Sequence, residues 1–410
     1  MDNNLSIFEK DIYIADLKGS VIVAIFLYFA FKIPFKIKIM NQQKHQLSRR
    51  NFIRKTALGL GAATLASSTF PFRSLLEDDK KLGVALVGLG SYSKGKLAPA
   101  FAHTKYCRLA GIVTGTPAKE KEWMDKFDIP KSNVYNYENF DRIADNPDID
   151  IVYVVLPNAM HGDYVIRAAQ AGKHVICEKP FDISVKKAAA AVEACKKAGV
   201  LLQIGYRCQY DPFHQELMRI GREKVLGDIK LIRAAHSFYG VHSSNWRFTN
   251  QELAGGGALM DVGVYAIQGA RYATGMEPIA VSANSFRTFK NKMDGMEETI
   301  LFTLKFPGDI SADLFGSYVA RTDYIDIAAE KGNYGLLPAF GYDPIKGYIK
   351  GEKMNFEYHN QQAVQMDAFA RNILDKTPVV ANGEDGLQDM RIIEAIYKSA
   401  RKNGKMVKIG

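Results

Sequence analysis

The chain has 410 residues, 47% of them hydrophobic and 24% charged. This is the balance of a folded chain with room for two domains, and it excludes a disordered polymer or a multi-span membrane protein. The formal charge is +10, but the first 80 residues hold 12 Lys/Arg against 7 Asp/Glu, half of the excess, and the remainder has no basic stripe that would grip nucleic acid. Cys107, Cys177, Cys195 and Cys208 form no C-x-x-C pair, which excludes a disulfide-built scaffold and speaks against a structural zinc site.

Residues 19–31 are apolar for 13 positions, short of the roughly 20 needed to span a bilayer. Residues 48–66 read SRRNFIRKTALGLGAATLA, with Arg49 and Arg50 ahead of Phe52 and Ile53, further charge at Arg54 and Lys55, and a mild apolar run. This order resembles a twin-arginine export signal, so residues 40–80 are expected to be signal and arm, and the mature protein periplasmic with no stable membrane span. Met40 opens a normal start for such a signal, and residues 1–39 are expected not to belong to the native protein.

Residues 82–87 (LGVALV) have the apolar character of a buried parallel strand and lead into Gly88-x-Gly90-x-x-Ser93 and a helical stretch to about residue 103. Between strand and helix this is a dinucleotide fingerprint. Gly88 allows the tight turn, Gly90 lets backbone approach a pyrophosphate, and the amides around Ser91, Tyr92 and Ser93 face the anion. A second strand, 108–113, is followed by Thr114, Gly115 and Lys119, with Lys121 nearby and no acid to hold a ribose 2′-hydroxyl. That corner suits a 2′-phosphate, hence NADP, with NAD as the alternative. Helices at 117–127 and 137–144 come next. A strand at 150–156 then ends at Leu156, with Asn158 and His161 at the carboxyl end of the sheet, where such sheets bind ligands. A helix at 162–171 and a strand at 173–177 lead to Glu178, Lys179 and Pro180, where a cis Lys179–Pro180 bond is expected. From residue 228 the pattern turns to period two, as in KLIRAAHSF and ETILFTLKF, which predicts a mostly antiparallel sheet. The fold class is therefore an α/β Rossmann domain (81–205), an α+β domain with a large open sheet (206–375), and a C-terminal helical segment (376–410) packing back on the first domain.

The glycine turn, P-N-x-x-H from Pro157 and E-K-P from Glu178 resemble, in this order, the Gfo/Idh/MocA oxidoreductases. GYRCQYDP from Gly205, NWRF from Asn245 and GGGALMDVGVYAIQGARYATG from Gly255 are similar to the glucose–fructose oxidoreductase branch. The resemblance implies that Lys179 is the catalytic lysine at the nicotinamide and that Arg207, Trp246 and Arg247 shape the cofactor and sugar pocket. Many relatives carry histidine four residues after the aspartate equivalent to Asp261; here Tyr265 stands there. Asp261 and Tyr265 are i and i+4 and share a face if residues 258–274 form a helix, as expected here. Tyr265 is expected to act as base with its pKa lowered by Lys179 and its hydroxyl oriented by Asp261.

The expectation is an exported NADP-dependent oxidoreductase of a sugar or polyol, a homo-oligomer (dimer or tetramer) holding its cofactor tightly, with no metal. The competing readings are an NAD-dependent glycoside hydrolase of the same superfamily and a non-catalytic sugar-binding member.

Overall fold

The computed structural model describes residues 12–14, 37–39, 81–342 and 344–410. The chain divides into two compact units, Met1–Leu76 and Glu77–Gly410. In the first, the described residues form one parallel strand pair, Ile12–Ile14 with Ile37–Ile39. The twin-arginine segment, the Met40 start and the arm after residue 66 lie outside the described residues. Among the described residues no helix is long and apolar enough to cross a membrane.

The second unit opens with six strands: β1 (Leu82–Val87), β2 (Cys107–Val113), β3 (Val134–Tyr135), β4 (Ile151–Val154), β5 (His174–Cys177) and β6 (Leu202–Ile204). All pair in parallel, in the order β3-β2-β1-β4-β5-β6. The strands are short apolar runs buried on both faces, as a sheet covered by helices on either side requires. The covering helices include α1 (Pro117–Phe127), α2 (His161–Gln170) and α3 (Val185–Ala198). Local chemistry sets their ends. Pro117 starts α1, the Ser184 hydroxyl accepts from Lys187 N–H at 3.1 Å to cap α3, and Gly199 closes it at φ 68°. The 137–144 helix is a 3₁₀ run, Phe140–Asp145. Because β1 lies between β2 and β4, the chain leaves it in opposite directions on the two sides, and a crevice opens at the strands' carboxyl ends.

After α4 (Pro212–Arg222) the second sheet begins with β7 (Ile229–Ser237), and α5 (Val264–Thr274) follows. Then come β8 (Ala280–Phe286), β9 (Thr299–Lys305), β10 (Ser311–Ser317), β11 (Thr322–Ala329), β12 (Gly332–Leu336), β13 (Gly347–Ile349) and β14 (Glu352–Lys353). Two helices, α6 (Gln361–Asp375) and α7 (Gly383–Ala400), and a last strand, β15 (Val407–Lys408), complete the chain. The nine strands run β14-β13-β12-β11-β7-β10-β9-β8-β15, antiparallel except for β7 beside β10. Helix α5 lies on the inner face over β7 and β10.

The architecture matches the expected class, but the boundary after residue 375 moves. Helix α6 belongs to the first domain: its Met366 and Phe369 pack with Val84, Leu86, Trp123 and Ile151, and the Asp367 carboxylate accepts from the Lys105 and Tyr106 amides, both at 2.8 Å. The final segment serves both domains, since α7 packs on α3 and on β8 while β15 extends the second sheet. A buried cation ties α5 to α7. Arg271, 4% exposed, holds Asp389 at 2.6 Å, Asp385 at 2.8 Å and Glu277 at 2.7 Å.

Candidate active site

At the end of β1, Gly88 adopts φ 93°, and a Cβ there would lie 2.6 Å from the Val155 carbonyl oxygen, so only glycine fits. Gly90 is exposed, with open space where a side chain would point, and Ser91 beside it is exposed too. The turn can therefore bring backbone amides against a pyrophosphate. Ser93 points the other way: it is fully buried and donates to the Gly88 carbonyl at 2.6 Å, stitching the turn from within. Its hydroxyl is committed there, so only its backbone amide is left to serve as a cofactor contact. Tyr92 is half-buried, with Gln362 donating to its hydroxyl at 3.4 Å.

At the end of β2 the Thr114 hydroxyl accepts from Thr116 N–H at 3.2 Å, and the edge of Tyr137 covers Gly115. Lys119 remains half-exposed at this corner. Lys121 pairs with Asp125 along α1 at 2.7 Å.

Beyond β5 the Lys179–Pro180 bond is cis, as expected. Glu178 is buried; burial raises its pKa, and its Oε1 accepts from Tyr153 at 2.7 Å. The Lys179 ammonium reaches the opposite domain, donating to the backbone carbonyl of Asp261 at 2.8 Å and lying 3.5 Å from Asp261 Oδ1. The segment Leu259–Gly263 is a wide π turn in which Val264 N–H bonds back to Leu259 O. Such turns break the regular carbonyl ladder and recur at functional sites. A buried carboxylate anchors this segment: Glu297 accepts from the amides of Gly257 and Leu259 and from Tyr397, each at 3.0 Å.

Burial pushes Asp261 upward, but Lys179, Arg247 and the Tyr318 hydroxyl outweigh it and hold the carboxyl below its ordinary range. Tyr318 donates to Asp261 Oδ2 at 3.0 Å, and Arg247 stands 3.9 Å from Oδ1. Arg247 also lies over the Trp246 ring, 4.5 Å from its centroid, on the short helix Trp246–Thr249. Thus Lys179, Asp261, Trp246 and Arg247 come together at the cleft.

Tyr265 joins them in a different role from the one expected. The Lys179 ammonium sits 4.6 Å above the centre of its ring, and Asp261 makes no hydrogen bond to its hydroxyl. Burial pushes the phenol up to about 12, against the pull of Arg207. At neutral pH this group is a protonated phenol that can donate a hydrogen bond to a substrate oxygen.

Two further assignments are corrected. Arg207 is 2% exposed and donates to Gln361 and to the carbonyls of Phe340 and Gly341, so it backs Tyr265 and Tyr342 from behind instead of meeting a cofactor. Both ring nitrogens of His161 lie 2.8 Å from backbone carbonyls, those of Pro180 and Leu156. Burial draws this imidazole down to about 4, against the two carbonyls. It braces the loop of Lys179 and has no nitrogen left for a ligand. Asn158 likewise holds Ala254 O at 2.9 Å, bridging the two domains beside the cleft. Sequence reasoning missed Tyr318, Glu297, His236 and Asp323, which lie in period-two strands or beside them with no local motif.

Two family models match the chain: the oxidoreductase family with NAD-binding Rossmann fold over residues 82–206, and the GFO/IDH/MocA C-terminal domain over residues 214–334. The D-xylose 1-dehydrogenase (NADP(+)) of Haloarcula marismortui is 27% identical over 332 residues, spanning 78% of this chain and 92% of that protein. The crystal structure of an aldose-aldose oxidoreductase from Caulobacter crescentus, complexed with glycerol, is 38% identical with a TM-score of 0.77 and spans 80% of this chain and 100% of that one. A levoglucosan dehydrogenase in complex with NADH and levoglucosan, 21% identical, shares the fold at a TM-score of 0.70 over 80% of this chain and 100% of its own. The chain belongs to the Gfo/Idh/MocA family and is an NAD(P)-dependent oxidoreductase.

Proposed function

We propose that this protein oxidises and reduces sugars, with an aldose as the hydride donor and NADP as the resident cofactor. The observation that carries this reading is the convergence of Asp261 and Tyr265 on the Lys179 ammonium, at the carboxyl end of the parallel sheet. The 38% identical relative is named for aldose-to-aldose transfer and the xylose dehydrogenase for NADP, and both names support it. The acid-free corner at Thr114 and Gly115 supports NADP over NAD.

The residues present fit a dinucleotide. The amides after Gly88 and Gly90 would take its pyrophosphate, Lys119 its outer phosphate, and Lys179 its reactive end. When bound, the nicotinamide supplies the hydride acceptor. Lys179, oriented by both the carbonyl and the carboxylate of Asp261, holds a positive charge where the substrate oxygen gathers negative charge. The Tyr265 phenol donates to the same oxygen, and Trp246 with Arg247 walls the open side. On this reading Tyr265→Phe should lower kcat about 10- to 100-fold, the worth of one hydrogen bond to a developing charge at roughly 1.5–3 kcal/mol. The loss expected of an acid–base residue is larger, about 10²–10⁴-fold. Steady-state rates of the variant distinguish the two.

The twin-arginine-like segment supports export in the folded state to the periplasm. There free nucleotide is scarce, so the cofactor would be loaded beforehand and recycled by a second sugar. The outer face of the nine-stranded sheet, where Leu301 pairs with Phe315, supports a homo-oligomer. Protein purified without added nucleotide, then denatured, should release close to one equivalent of NADP(H). Empty protein that turns over only with free cofactor would contradict the retained-cofactor reading.

A further inference from the structure

A third, smaller core lies beside the π turn that carries Asp261. Val241, Phe248, Met293, Met296 and Tyr318 pack there with Ala258 and Val262. Strand β7 leads into it, bringing His236, in register with Asp323 of β11, edge-on to the Tyr265 ring with centroids 5.2 Å apart. Directly after β7 the chain leaves the sheet as a loop, residues 238–245, that ends in the short helix Trp246–Thr249. Both ends of this loop stand at Asp261. At its start Phe238 meets the Tyr318 ring at 5.3 Å, and the Tyr318 hydroxyl donates to the Asp261 carboxylate. At its end Arg247 stands 3.9 Å from the same carboxylate.

Between these ends the loop turns aromatic rings outward. Phe238 is 39% exposed and Tyr239 48%, and Phe289, from the turn after β8, is 36% exposed. His242 joins them, its ring 5.9 Å from that of Tyr239 and 5.3 Å from that of Phe289. The backbone beneath is fixed. Phe289 N–H donates to the Glu298 carboxylate at 3.1 Å, and the Glu298 backbone carbonyl accepts from Tyr318 N–H at 2.8 Å. Gly240 N–H donates to Tyr318 O at 2.9 Å, and the buried Val241 anchors the loop's middle. Rings on such a backbone lose little freedom when they bind. Ser243, Ser244 and Asn245 are exposed beside them, and no aliphatic side chain of the loop is. Ring faces set among hydroxyl and amide groups match a pyranose, which offers an apolar C–H face and a rim of hydroxyls.

We propose that Tyr239, His242 and Phe289 form a subsite for the further sugar units of an oligosaccharide whose reducing end is oxidised at Lys179. The proposal rests on the sugar-oxidoreductase reading. The end unit occupies the cleft, and the chain leaves it past Trp246 and Arg247 to lie across the exposed rings. The reaction is that of a free aldose and cuts no glycosidic bond. Units on the rings touch nothing that reacts, so they hold the ground state and the transition state equally, and their contribution falls on KM.

The test compares glucose and xylose with their β-1,4-linked di-, tri- and tetrasaccharides, and glucose with maltose and maltotriose, as hydride donors to the cofactor-loaded protein. In at least one series kcat/KM should rise about 5- to 20-fold from one unit to three, through KM, with kcat changed less than about threefold. The double variant Tyr239→Ala with Phe289→Ala should lose most of that gain and keep kcat/KM for the monosaccharide within about twofold, which also reports that the fold and the chemistry are intact. Tyr239→Phe, which keeps the ring face, should retain the gain. A wild type with no gain in any series, or a double variant that keeps the gain, overturns the subsite alone. A wild type that oxidises no aldose of any length overturns the reading beneath it.

Discussion

Replacing Lys179 by methionine should lower the rate of hydride transfer by about 10³–10⁴-fold while leaving nucleotide bound, because the positive charge at the substrate oxygen disappears and the pyrophosphate grip does not change. Methionine keeps the unbranched stem of the side chain short of the ammonium, and the Glu178–Tyr153 bond below it is untouched. What is lost is the ammonium between the carbonyl and carboxylate of Asp261. Asp261 would then lose its nearest cation, and its pKa should rise as burial gains ground. Single-turnover kinetics on the loaded enzyme separate the chemical step from sugar binding, and nucleotide released on denaturation reports retention. A variant within tenfold of wild type would mean that Lys179 acts only in binding.

The largest loss of stability is expected from Arg271→Leu, at about 3–5 kcal/mol, the usual consequence of removing one partner from a buried ion pair. Arg271 is 4% exposed, and Asp389 beside it is 1% exposed, so the leucine variant strands a carboxylate in the interior. Gln268 donates to Asp389 at 3.0 Å and Tyr272 to Asp385 at 2.8 Å, but neither carries charge. Burial already pushes the Asp389 carboxyl upward, and Arg271 is what opposes it. Without the arginine the folded state holds a proton there that the unfolded state releases, so folding binds protons. The deficit should therefore be larger at pH 8 than at pH 5, and urea unfolding at both values measures it. An equal loss at both would point to packing instead of charge. Because α5 also carries Tyr265, activity should fall in the same variant before the protein unfolds.

These expectations divide according to how local their causes are. The parallel domain is legible because each strand is a short apolar run and each turn declares itself: Gly88 by the φ that only glycine accepts readily, Pro117 by its place at the start of α1. Lys179, Asp261 and Tyr265 are legible through the family resemblance, and the cleft brings them together. What the side chains do there is not legible. Ser93 and His161 occupy motif positions that suggest ligand contacts, yet backbone carbonyls stand against their polar side-chain atoms, that of Gly88 for Ser93 and those of Leu156 and Pro180 for His161. Arg207 is a cation drawn inward to carbonyls more than 130 residues away. Tyr318, His236 and Asp323 enter the site only through the register of β7 with β10 and β11, a long-range pairing that period-two alternation cannot specify. The misplaced boundary at α6 has the same origin. An amphipathic helix shows that it has an apolar face, and not which sheet receives it.

The most direct test of the central claim is to add a panel of aldoses and polyols to the purified protein and follow the absorbance of reduced nicotinamide, with aryl glycosides offered in parallel. The expected result is reduction of the bound cofactor by at least one aldose, reoxidation on adding a second sugar, and no release of nitrophenol. Nitrophenol release from an aryl glycoside without net reduction of the nucleotide, and no reduction by any aldose, would contradict it.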